Sequence, residues 1–285
     1  MTDHRVDVGD GVTLSVRTWS PASRGRADAL LLHGLASTSH IWDLVAPRLA
    51  RRGVFAAAVD QRGHGRSSKP ARGYGFERTG ADAAAVIGAL RLRRPVVAGH
   101  SWGANVALDL AVRRPDLVGA MVLVDGGFIR LPDRFDWPSA RRALAPPEVA
   151  GMPVTEFRSR MRAHHGGSLR LTPEIEDVVL SVMHVDREGR IRPRLSRANH
   201  LRILRALWEQ DPIELLRRVR VPTLVLAVRA SPGSTDRHDP DRRSAAAEVR
   251  AIGGPVRFEW IDGIHDLPLQ RPEALARRIA GAARS

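Results

Sequence analysis

The stretch Pro95-Val96-Val97-Ala98-Gly99-His100-Ser101-Trp102-Gly103-Ala104 constrains the fold of this 285-residue chain more than any other. Its apolar start reads as a buried strand, Gly-His-Ser-Trp-Gly turns the chain, and 104–111 continues at helical spacing. Small residues at 99 and 103 permit a tight bend and leave the Ser101 hydroxyl at a helix N-terminus. There the positive end of the helix dipole favours a developing negative charge. Strand, turn and helix in this order are the context in which G-x-S-x-G presents a nucleophile. Without that context the same residues are a glycine-bounded turn with a capping serine.

The rest of the chain alternates around this stretch. Residues 4–8 and 12–18 flank Gly9-Asp10-Gly11 and predict a β-hairpin. Apolar runs at 29–33, 55–59, 95–98, 121–124, 222–227 and 256–261 predict strands, buried on both faces where the sheet is parallel. Helical spacing at 41–52, 81–92, 104–113, 240–252 and 272–283 separates or follows them. The implied class is α/β, a mostly parallel central sheet flanked by helices and wound from right-handed βαβ units. From about residue 128 to 218 the pattern changes to proline-punctuated segments, with helices expected near 154–165, 173–184 and 196–210 and no convincing buried strand. The expected organisation is a core of 1–127 and 219–285 with a helical insertion at 128–218.

Composition narrows the setting. Hydrophobic residues at 43% and charged residues at 27% are ordinary for a soluble globular protein, and no apolar run reaches membrane-spanning length. The first residues lack the basic-then-apolar layout of a signal peptide, and with no cysteine there is neither disulfide nor thiolate chemistry. A cytoplasmic protein is expected. The formal charge is +14, carried almost wholly by arginine, since Lys69 is the only lysine. The arginines are scattered, many at helix ends where cations suit the dipole, and no basic stretch is interleaved with aromatics. This pattern fits a GC-rich coding bias better than a nucleic-acid partner or a membrane surface. It leaves the oligomeric state open.

Four motifs then coincide in order: His33-Gly34 after the third strand, Asp60-Gln61-Arg62-Gly63-His64-Gly65-Arg66-Ser67 after the fourth, Gly-His-Ser101-Trp-Gly after the fifth, and Gly263-Ile264-His265-Asp266-Leu267-Pro268 near the end. Together they make the chain resemble the α/β-hydrolase family over essentially its whole length. The resemblance implies Ser101 as nucleophile and His265 as general base, because a serine hydroxyl needs an adjacent base at neutral pH. It implies that the backbone amides of Leu35 and Trp102 form the oxyanion hole. His33 and Gly34 would line the substrate site, and Trp208 would reach it from the insertion, which resembles the family's helical cap. No cofactor and no metal is implied. His100 is expected to face away from the site along the strand period.

The acid of the triad departs from the family's common pattern. Its usual place, after the strand at 222–228, is occupied by Ser231. Asp125, directly after the apolar strand 121–124, is the first candidate, and Asp236, in the polar loop before Asp239 and Asp241, is the alternative. Relatives of the dehalogenase and epoxide-hydrolase type carry aspartate at the elbow. A serine there implies an acyl-enzyme, hence an ester, thioester, lactone or amide carbonyl, and a capped pocket favours a small or medium apolar substrate; the leading expectation is a carboxylic ester or lactone. A perhydrolase or small-peptide aminopeptidase would use the same residues. A ligand receptor or biosynthetic cyclase would keep only the fold.

Overall fold

Six strands of the main sheet run parallel, and their apolar residues alternate between two helical layers. The computed structural model describes residues 1–22, 27–165, 169–229 and 239–284. Strands β1 (Thr2–Asp7) and β2 (Thr13–Trp19) form the expected hairpin. They are followed by β3 (Ala27–Leu32), helix α1 (Ala46–Arg51), β4 (Val54–Asp60), α2 (Phe76–Ala89), β5 (Val96–His100), α3 (Trp102–Arg113) and β6 (Ala120–Val124).

An insertion then carries α4 (Trp137–Ala143), α5 (Val154–His165), α6 (Pro173–Leu180), β7 (Met183–Val185), β8 (Ile191–Pro193), α7 (Arg197–Glu209) and α8 (Pro212–Arg218). The core resumes with β9 (Thr223–Arg229), α9 (Asp239–Ile252), β10 (Val256–Asp262), α10 (Leu267–Gln270) and α11 (Pro272–Ala282). The main sheet has the order β1-β2-β4-β3-β5-β6-β9-β10, antiparallel at the β1 end and parallel from β4 onward.

The two faces are written in the strands at period two. Leu30, Leu32, Val97, Met121, Leu123 and Val225 join one core with residues of α2, α3, α8 and α9. Ala29, Leu31, Val96, Ala98, Val122 and Leu226 join another with α1 and α11. Burial of continuous apolar strands on both sides is the main stabilising contribution to such a sheet.

Two elements differ from the sequence reading. The segment expected to be helical over 173–184 ends as a helix at Leu180 and then forms the antiparallel hairpin β7–β8. Each of these strands is three residues long and buries little beyond Met183 and Ile191, too short a span for alternation to register. The turn is closed by Asp186 Oδ1, which accepts from the amides of Glu188 and Arg190 at 3.0 and 2.9 Å. Helix α2 begins at Phe76, five residues before the periodic stretch that revealed it. Gly80 lies inside this extra turn, where the backbone of Leu110 packs against it. Among the described residues no helix is long and apolar enough to cross a membrane.

Register is what prepares the site. Leu32 pairs with Gly99, His100 with Val124, and Val124 with Leu226. The residues that follow these strand ends, His33-Gly34-Leu35, Ser101 and Asp125, therefore emerge side by side at the carboxyl edge of the sheet. Ligand and catalytic groups of open α/β sheets gather at this edge.

Candidate active site

Ser101 sits between β5 and α3 with φ 54° and ψ −121°, a strained conformation for a residue with a side chain. Close packing enforces it. A methyl group at Gly99 would lie 2.2 Å from the Gly103 carbonyl oxygen, and one at Gly103 would lie 2.4 Å from that of Leu32. Only hydrogen at both positions lets α3 start this close to the strands. Trp102 opens α3, so its amide is one of the helix's free N-terminal donors. Neither this amide nor that of Leu35 bonds to an acceptor among the described residues.

The loop carrying Leu35 is held from behind. His33 is fully buried; its Nδ1 donates to the Gly34 carbonyl at 2.7 Å and its Nε2 accepts from the Gln61 amide at 3.0 Å. Burial lowers its pKa, which agrees with this neutral tautomer. His33, expected at the substrate site, has both ring nitrogens engaged with backbone groups, and its side chain shapes the loop. His64 acts alike, donating from Nδ1 to Arg62 at 3.0 Å and accepting at Nε2 from the Ala36 amide at 3.3 Å, while its ring stacks on Trp102 at 5.3 Å. Gly34 is at the site itself, since a methyl group there would lie 3.1 Å from Ser101 Cβ.

Asp125 and His265, 140 positions apart in the chain, are brought together: His265 Nδ1 donates to Asp125 Oδ2 at 2.6 Å. Asp125 follows β6 in the left-handed region, at φ 46°, and is buried. Its Oδ1 accepts from the Val228 amide at 2.9 Å and from Arg242 Nη2. Burial alone would raise its pKa. The His265 bond, the charges of His265 and Arg242, and the Val228 amide together hold it far below the usual carboxylate range. Desolvation works against a charge on His265, but the bond and charge of Asp125 outweigh it and raise the histidine's pKa. The ring stays open to solvent on one side. Asp236 and Ser231 lie outside the described residues.

His100 does not face away, contrary to the expectation from strand period. Its ring lies 4.8 Å from that of His265, and its Nε2 donates to the His265 carbonyl at 2.8 Å. Burial and the neighbouring His265 push its pKa down to about 4, so it stays a neutral donor that fastens the loop. The same loop is tied by Ile264 N to Gln270 Oε1 at 2.9 Å. Trp208 is held within the insertion: its Nε1 donates to the Phe135 carbonyl at 2.9 Å and its ring packs on Trp137. Its indole thus packs α7 against α4. Arg242, on α9, was not foreseen as part of the site.

Such an arrangement can do one kind of chemistry well. A carboxylate that fixes His265 with its proton on Nδ1 leaves Nε2 as a base. A serine on a strained elbow and two free amides at the same sheet edge complete the parts for acyl transfer.

The alpha/beta hydrolase family model matches residues 29–278. A 2-(acetamidomethylene)succinate hydrolase from Mesorhizobium japonicum is 38% identical over 122 residues, 42% of this chain and 41% of that protein. An epoxide hydrolase from Caballeronia sordidicola is 36% identical over 110 residues, 38% of this chain and 32% of that protein. The chain thus aligns with less than half the length of these two relatives. The crystal structure of E-2-(acetamidomethylene)succinate hydrolase superposes with a TM-score of 0.79 at 23% identity, over 100% of this chain and 99% of the other. Fold, motif order and family match agree, and the chain belongs to the alpha/beta hydrolase family.

Proposed function

We propose that the chain is a cofactor-free serine hydrolase that cleaves a small apolar carboxylic ester or lactone. The observation that carries this reading is the Asp125–His265 hydrogen bond at the sheet edge that also holds the Ser101 elbow. In the first step His265 Nε2 takes the Ser101 proton as Oγ attacks the carbonyl carbon, and the amides of Leu35 and Trp102 take the oxyanion. Collapse expels the alkoxide, which receives the proton from His265, and Ser101 is left acylated. Water, activated by the same base, then releases the acid and restores the serine. Asp125 keeps the imidazole in the right tautomer and stabilises its cation throughout.

Insertion 128–218 serves as the cap over the bound substrate and favours a small molecule over a polymer. The chemistry needs no metal, nucleic acid or membrane partner. A second reading, amide hydrolysis, draws on the acetamido group in the name of the Mesorhizobium japonicum relative. An amide carbonyl follows the same acyl-enzyme path with a nitrogen leaving group. The test is a panel of short-chain p-nitrophenyl esters, lactones and acetamides assayed with the unaltered chain and with Ser101→Ala. Ester or lactone turnover lost in Ser101→Ala supports the reading. Turnover confined to amides selects the second, and ester turnover surviving in Ser101→Ala rejects both.

A further inference from the structure

Two adjoining hollows lie between the insertion and the loops after β3 and β4. The first begins at Ala36, the residue after Leu35, and is walled mainly by apolar side chains such as Val149, Val182 and Leu195. The second is polar, with His40, Asp60, Asp177 and His184 in its lining. Thr38, Gly65, Met183 and Arg194 line both, so Arg194 stands at their junction.

Arg194 is held there without a counter-ion. Its Nε donates to the carbonyls of Ser181 and Met183 at 3.2 and 3.0 Å, which fixes the plane of the guanidinium. Nη1 and Nη2 meet no acceptor among the described residues, and neither is sealed from solvent. The acids of the polar hollow are engaged elsewhere. Asp60 accepts from the amides of Ser39 and Arg66 at 2.7 and 2.9 Å, and the exposed Asp177 pairs with Arg158 at 3.4 Å. His40 is bonded to Asp43 at 2.8 Å. Lys69, tied to the carbonyls of Gly65 and Ser67, registers the sign of the local field. Desolvation lowers its pKa first and the charge of Arg194 next, and the opposing pull of Asp60 is smaller than either. A cation drawn partly out of water without an anion is costly, and an arriving anion offsets that cost. With Nε committed, the two Nη groups remain as a fork whose N–H bonds match the oxygens of a carboxylate.

We propose that the paired hollows bind an aliphatic carboxylate, its chain in the apolar hollow and its carboxylate bidentate on Nη1 and Nη2 of Arg194. A neutral amide of the same length keeps the chain contacts and loses the ion pair. As a substrate, such a ligand is the half-ester of a dicarboxylic acid, with its ester carbonyl toward Leu35 and its free acid on Arg194. That last step rests on the hydrolytic reading; the binding site does not.

The test uses binding rather than turnover, so it is decided separately from that reading. Hexanoate and hexanamide are titrated at neutral pH by ligand-observed NMR against the Ser101→Ala chain. The proposal expects hexanoate to bind about tenfold more tightly, the scale of a charge-assisted pair that stays partly open to water. Adding Arg194→Met should abolish the preference, and adding Arg194→Lys, which keeps the charge without the fork, should reduce it. Arg66→Gln, at an exposed side chain of the polar hollow, should leave it unchanged. Equal affinities, failure of both probes to bind, a preference that survives Arg194→Met, or one lost in Arg66→Gln would each overturn the proposal. Should Arg194→Met not fold, an undiminished preference in Arg194→Lys overturns it instead. A preference for hexanoate that depends on Arg194, in a chain that turns over no ester, supports the site and rejects only its use in hydrolysis.

Discussion

The guanidinium of Arg242 donates to Oδ1 of Asp125, the carboxylate whose other oxygen lies 2.6 Å from His265 Nδ1. Arg242 also donates to the Val228 carbonyl at 3.0 Å and lies over the Phe128 ring, so α9 is clamped onto the ends of β6 and β9. One carboxylate thus holds a histidine and a fixed cation at once. The cation pulls the His265 pKa down while Asp125 pushes it up, and Asp125 prevails.

Removing that cation should move the pH profile in a definite direction. A general base works when neutral, so activity rises as pH climbs through the His265 pKa, which is raised above the ordinary histidine value. Arg242→Leu deletes the opposing charge, raises that pKa further and shifts the acid limb of kcat/KM to higher pH. Arg242→Lys keeps the charge and should restore most of the limb. A limb unmoved in Arg242→Leu would mean that Arg242 only braces the fold.

Asp125→Asn should lower kcat on the order of 10⁴-fold, because an amide donor at this position favours the wrong imidazole tautomer. It also leaves Arg242 without its counter-charge, at a cost of about 3 kcal/mol. Steady-state kinetics and urea unfolding measure the two effects separately. Wild-type turnover in Asp125→Asn would transfer the role to Asp236.

Gly103→Ala places a methyl group 2.4 Å from the Leu32 carbonyl oxygen, a backbone atom with little room to yield. The predicted loss is about 1–3 kcal/mol in urea unfolding, as for other overpacked sites. Turnover should fall with it, because any relief moves Ser101 and the Trp102 amide. A variant of unchanged stability would show that the elbow is looser than its packing implies.

Much of this was legible in the chain because buried parallel strands write themselves as uninterrupted apolar runs. Val96–Ala98, Met121–Val124 and Thr223–Ala227 needed no alternation to be seen. Asp125 could be picked out because it follows such a run directly, and His265 because of its motif. Arg242 left no comparable sign: it is one of two adjacent arginines in a polar helix, and its partner is 117 positions away. His100 was expected to face away on strand period alone, and neither that period nor the motif that holds His33 shows which ring atoms bond to the backbone. Both rings are committed to backbone groups, which only the folded chain shows. The hairpin β7–β8 was missed because three-residue strands carry too little pattern.

The most direct measurement is intact mass after treatment with a fluorophosphonate, on the unaltered chain and on Ser101→Ala. The account predicts a single phosphonyl adduct on the former and none on the latter, since only a serine activated by a base and supported by free amides reacts readily. No adduct on a folded chain, or an adduct that persists in Ser101→Ala, would contradict the assignment of Ser101 as the nucleophile.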